Sequence, residues 1–163
     1  MPLYTPEERK RRDASPWTLV QGILAPLQFL VFLISLGLVL RFLATGEGAQ
    51  AATISVIIKT LVLYLIMITG SIWEKVVFGR YLFARAFFWE DVFSMLVLAL
   101  HTAYLVSLAY LSVRDQMLLA LAAYATYVIN ATQFLLKLKA ARLEQARASA
   151  NPTAAIGHAE TAL

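Results

Sequence analysis

Four apolar stretches, at about 17–43, 53–73, 87–111 and 117–138, constrain this chain more than any other feature. A helix needs about 20 apolar residues to cross a bilayer core, and within that core every backbone amide must find its partner inside the segment, which favours helices. All four stretches are long enough. The expected fold is therefore all-α: a polytopic membrane protein built as a four-transmembrane-helix bundle. Only 15% of the 163 residues are charged and 60% are hydrophobic, against about 25% charged in soluble domains. A water-soluble fold could not hide that much apolar surface.

The flanks complete the organisation. Residues 1–16 form a polar head carrying EERKRRD, 17–139 form the membrane domain, and 140–163 form a tail. The tail begins as a basic helical extension and turns Ala/Ser/Thr/Pro-rich, a composition expected to be largely disordered. Pro26 should kink the first span. The competing reading of that span is a cleaved leader, with AQA at 49–51 as the cut site. Its apolar run is too long for a leader core of about 7–15 residues.

Counting bases orients the bundle. Arg9, Lys10, Arg11 and Arg12 lie in the head, Lys75, Arg80 and Arg85 between spans two and three, and Lys137, Lys139, Arg142 and Arg147 at the tail; Arg41 and Arg114 lie on the other side. That bias places both ends in the cytoplasm, with the chain in the inner membrane. Trp17, Trp73 and Trp89 fall at the same interface, where indole rings settle. The net charge of +4 is accounted for by this flanking and by anionic lipid heads, so nucleic acid is not an expected partner. The chain lacks cysteine, which excludes thiolate nucleophiles, iron–sulfur clusters and thiolate-bound zinc.

Ionisable groups inside a span are costly and mark function or buried pairs. Glu90 and Asp91 stand about one turn into span three. His101 follows Glu90 by 11 residues, which places it on nearly the same helix face and about 16 Å deeper. Ser94 and Tyr104 share that face. Lys59 precedes Trp73 by 14 residues, and His101 follows Phe87 by 14. In antiparallel helices both therefore reach about 21 Å from the same boundary. A shared chamber follows if both point inward; Lys59 could instead snorkel outward. Thr126, Asn130, Gln133 and Lys137 line one face of span four, and Gln21, Gln28 and Ser35 one face of span one. The plainer account of such Gln and Ser residues is hydrogen bonding between helices. For Glu74 and Asp91 it is ion pairing with Lys75, Arg80 or Arg85, and for Trp73 and Trp89 it is anchoring at the interface. His158, in the tail, is assigned no role.

Three blocks carry a family likeness: LYTPEERKRRDASPWTLVQGILAPLQFLVFLISLGLVLRFLATGEG at 3–48, SIWEKVVFGRYLFARAFFWEDVFSMLVLALHTAYL at 71–105, and YVINATQFLLKLKAARL at 127–143. Together they resemble the 3-vinyl (bacterio)chlorophyllide hydratases of bacteriochlorophyll biosynthesis, also called 2-vinyl bacteriochlorophyllide hydratases. The resemblance implies a hydro-lyase that adds water to the C3-vinyl group of chlorophyllide a or 3-vinyl bacteriochlorophyllide a, giving a 3-(1-hydroxyethyl) product. It implies no cofactor, since the magnesium belongs to the pigment. The pigment and membrane lipid are the expected partners, and other pigment-biosynthesis enzymes are the protein partners to look for.

That family offers no short catalytic signature to transfer, so roles come from the residues. Glu90 is the expected general acid, with Asp91 in reserve. His101 is expected either to activate water or to ligate the pigment's magnesium; the chain's own metal sites are none. Lys59, Trp89, Tyr104, Arg85 and Asn130 are the expected substrate contacts. A non-enzymatic pigment-binding protein would need the same slot and His101 but no acid. A small transporter would need a path through Lys59 and His101, and a di-haem cytochrome fails because one intramembrane histidine cannot supply paired ligands.

Overall fold

The computed structural model describes residues 3–150 and contains five helices, with no strand among the described residues. These are α1 (Pro6–Ala14), α2 (Pro16–Thr45), α3 (Ala49–Phe78), α4 (Phe88–Ser107) and α5 (Val113–Ala150). The last four are long and apolar enough to cross a membrane, as the hydropathy pattern predicts. Residues 151–163, with His158 and the end of the tail, lie outside the described residues.

Local chemistry sets the helix ends. Thr5 and Glu8 cap α1 reciprocally: the Thr5 amide donates to Glu8 Oε2 (2.8 Å) and the Glu8 amide to Thr5 Oγ1 (3.2 Å), which satisfies two free amides of the first turn. Ser15 closes α1 and opens α2, accepting from the Trp17 amide, with Pro16 in the first helical position. There its missing N–H costs nothing. The α2–α3 turn is built on Gly46 (φ 75°) and Gly48 (φ 80°), a left-handed backbone that disfavours residues with a Cβ. Pro26 lies within the continuous α2.

The differences from the sequence reading concern ends, and the largest is in α5, which begins at Val113 and stays helical to Ala150, into the stretch expected to be largely disordered. Helix α4 stops at Ser107 instead of running to 111, because residues 108–111 close as turns onto Val106 and Ser107. Its 20 residues span about 30 Å, just the hydrocarbon thickness. Helix α3 starts earlier and ends later than the apolar core of span two, since its 30 residues include interfacial turns at both ends.

The chain folds as two hairpins, α2/α3 and α4/α5, packed along a seam. Phe32 on α2 meets Tyr124 and Tyr127 on α5, with ring centroids 5.3 and 5.0 Å apart. Tyr64 on α3 bonds Thr102 on α4 (2.7 Å). At the end occupied by α1 and the 79–87 connection, Tyr4, Trp73, Phe78, Phe87 and Phe134 form an aromatic plug. The polarity of the bundle is inverted relative to a soluble protein. Leu19, Ile23, Leu27, Leu30 and Ile34 of α2 face outward, while Gln28 and Ser35 are buried. Leucine pays nothing to face lipid, whereas a polar group there lacks a partner, so the polar seams turn inward.

Candidate functional site

Polar side chains gather at two depths. The shallower group lies at the α1 end. Lys137 Nζ reaches across from α5 to Glu90 Oε2 at 2.6 Å. Asn130 Nδ2 donates to the Glu90 carbonyl (2.9 Å), and the Ser94 hydroxyl, which approaches that carbonyl at 2.8 Å, also bonds Asn130 Oδ1 (3.0 Å). Glu90 is thereby locked by its carboxylate and its backbone to the facing helix. The carboxyl read from the sequence as the general acid therefore faces the Lys137 ammonium.

Glu74 and Asp91 stand beside this group, both buried. Contrary to the expected ion pairs with Lys75, Arg80 or Arg85, they bind the α3–α4 connection through its backbone. Glu74 Oε1 accepts from the Ala84 amide (2.6 Å) and Asp91 Oδ2 from the Phe83 amide (2.8 Å). Lys75 instead donates to the Gly79 carbonyl (2.9 Å) and lies over the Tyr81 ring. The connection turns through Phe83 at φ 60°, a left-handed conformation costing a bulky residue about 1–2 kcal/mol. The two carboxyls hold it there. Arg85 and Trp89 face outward, Trp89 at 70% exposure, so neither lies in the seam.

The deeper group sits mid-bundle. Lys59, His101 and Tyr104 are each 0% exposed. Lys59 does not snorkel: its Nζ lies 3.8 Å from the centre of the Tyr127 ring and has no hydrogen-bond acceptor. His101 Nδ1 meets the Val97 carbonyl at 2.8 Å, while Nε2 has no partner. A carbonyl only accepts, so the neutral ring carries its proton on Nδ1 and presents a bare lone pair at Nε2. Tyr104 Oη also lacks a hydrogen bond. Around these, Ser35 links Ser55 (2.7 Å) to Tyr124 (2.6 Å), and the Tyr124 ring lies 5.8 Å from His101. Three buried polar atoms without partners cost about 1–3 kcal/mol each.

Of the expected site residues, the structure brings Lys59, His101 and Tyr104 to one depth and Glu90, Asp91 and Asn130 to another. Tyr124, Tyr127, Lys137 and Glu74 complete the two groups. Tyr124 stands six residues before Asn130, about 120° round α5 from it, so periodicity does not single it out, and an aromatic in an apolar helix reads as core. Gln21 and Ser35 act as the plainer account holds: Gln21 donates to Thr69 on α3 (2.7 Å), and Ser35 bonds two other helices. Trp73 donates Nε1 to Thr18 (2.9 Å). An open groove of about 730 Å³ lies on the outer side of α4, lined by Met95, Leu98, Ala99, Thr102 and Val106 among others. Its lining holds no carboxylate, histidine, lysine or arginine.

The fold and site define a small polytopic membrane protein that encloses an imidazole and an ammonium between two helical hairpins. Comparison with known proteins narrows this. The family described as 2-vinyl bacteriochlorophyllide hydratase matches residues 4–140, and the chain belongs to that family. A Rhodobacter capsulatus protein named 2-vinyl bacteriochlorophyllide hydratase is 72% identical over 146 residues, covering 88% of this chain and 85% of the relative. A Cereibacter sphaeroides protein of the same name is 72% identical over 143 residues, covering 87% and 89%. No solved structure matches the chain.

Proposed function

We propose that this protein adds water across the vinyl substituent of a chlorophyllide or bacteriochlorophyllide, turning it into a 1-hydroxyethyl group. The observation that carries the reading is the 72% identity to proteins named for that reaction, together with a family match over residues 4–140, the stretch that contains both polar groups. The activity is that of a hydro-lyase in bacteriochlorophyll biosynthesis. Water adds without net oxidation, so the chemistry calls for no electron carrier. It calls for a proton at the terminal vinyl carbon, a water at the inner carbon and a base to take the water's proton.

His101 Nε2 is the base in this reading. Its lone pair is bare, and the Val97 carbonyl holds the ring in the tautomer that accepts a proton. The cation formed by protonating the vinyl lies next to the macrocycle, which delocalises it. Phe32, Tyr124 and Tyr127 offer aromatic faces for the ring. At the shallow level Lys137, held by Glu90, has two further N–H donors for the pigment's carboxylate, with Arg85 at the same end of the bundle. Asp91 and Glu74 position the connection above that mouth.

The base distribution supports placing both termini on the cytoplasmic side of the inner membrane. Membranes containing the protein, incubated with chlorophyllide a, are expected to yield a pigment heavier by one water, read by mass spectrometry. An unchanged pigment alongside correctly inserted protein refutes the reading.

A further inference from the structure

We propose that Lys59 is the proton donor of this reaction, paired with His101 as the base. The inference rests on the hydratase reading and names the acid that the reading leaves open.

The observation is a complementarity of unmet needs. Lys59 Nζ offers three N–H donors and can accept nothing. Its neighbour is a π face, and among the described residues no carboxylate lies within ion-pairing distance of it. His101 Nε2 is an acceptor with no donor. The two belong to opposite hairpins, α3 and α4. Neither is a hydrogen-bond partner of the other. Both are sealed from solvent and lipid in the closed bundle. A donor and an acceptor buried on opposite hairpins, each unsatisfied, are what a hydration centre presents before its substrate arrives. The carboxyls at the mouth lack this property: Glu90 is paired with Lys137, and Glu74 and Asp91 are bound to backbone amides.

The step balances. The vinyl π pair takes a proton from Lys59 Nζ, forming a C–H bond at the terminal carbon and breaking one N–H bond. The positive charge moves to the inner carbon and into the macrocycle. Water oxygen bonds that carbon while one of its protons passes to His101 Nε2. Lysine ends neutral and histidine protonated, and return of the proton from Nε2 to Nζ through a water admitted with the substrate resets the site. Substrate and water are the reactants consumed. For the vinyl to reach this depth, the hairpins part along their seam.

The test uses the full chain in lipid nanodiscs with chlorophyllide a, following pigment binding by absorption and hydration by mass. Lys59→Met keeps the length and volume of the stem and removes the donors. It is expected to bind pigment as the wild type does and to hydrate it about 100-fold more slowly or worse. Lys59→Ala is expected to recover about tenfold when propylammonium is added, and nothing from tetramethylammonium, which has no proton to give. Lys59→Met turning over within a few-fold of wild type overturns the proposal. So does loss of binding and turnover together with no recovery by propylammonium, which marks Lys59 as structural. Wild type that binds pigment and leaves it unhydrated overturns the hydratase reading with it, an outcome distinct from active wild type with an active Lys59→Met.

Discussion

Replacing His101 with leucine is expected to slow vinyl hydration by about 10²–10⁴-fold, the range over which a positioned base contributes, while pigment still binds. Leucine roughly fills the volume of the imidazole, and the only bond lost is the one to the Val97 carbonyl. What disappears is the lone pair at Nε2. Single-turnover hydration with pre-bound pigment checks this, because it separates chemistry from binding. His101→Gln keeps a side-chain donor for Val97 but supplies no comparable base. It is expected to be as slow as leucine. Recovery of rate in that variant would assign His101 a merely structural part.

The second large effect is on stability. Lys137→Met removes the cation facing Glu90 and leaves a nearly buried carboxylate alone. Breaking a fully buried pair in this way costs about 3–5 kcal/mol. The Lys137 side chain keeps 27% exposure and that of Glu90 10%, so about 2–4 kcal/mol is expected here. Glu90→Gln should cost less, because an amide can still accept from the ammonium. The double variant Glu90→Gln with Lys137→Met should regain most of the loss. Thermal unfolding of the four proteins in one detergent provides the cycle, and the coupling between the two sites is its measured result. An additive double variant would show that the pair contributes nothing.

The two predictions divide the polar groups by what they do, and the sequence revealed that division unevenly. The spans were legible because lipid imposes a length and a composition that soluble folds do not. The inward turn of each polar seam was also legible, since helical periodicity fixes which residues share a face. Counting residues from the interface put Lys59 and His101 at one depth, and the bundle closes them into one layer.

Other features depend on contacts that no periodicity encodes. The partner of Glu90 is Lys137, 47 residues away on another helix, and only the packing angle of α4 on α5 brings them together. Glu74 and Asp91 had arginines nearby in the sequence, but the connection curls so that its amides reach the carboxyls first. Trp89 and Arg85 adjoin buried polar positions in sequence, yet both are exposed. Tyr124 was hidden because a tyrosine in an apolar helix has an ordinary explanation as core. It is core, and its hydroxyl also bonds Ser35 across the seam.

Where the pigment lies decides which side chains can reach its vinyl group. A structure of the protein in a nanodisc with chlorophyllide bound tests this most directly. It should show the hairpins parted at the seam, with the vinyl-bearing edge between Lys59 Nζ and His101 Nε2 and the carboxylate toward Lys137. Pigment resting in the outer α4 groove beside Ala99 and Thr102, with Lys59 and His101 still sealed behind it, would contradict the account.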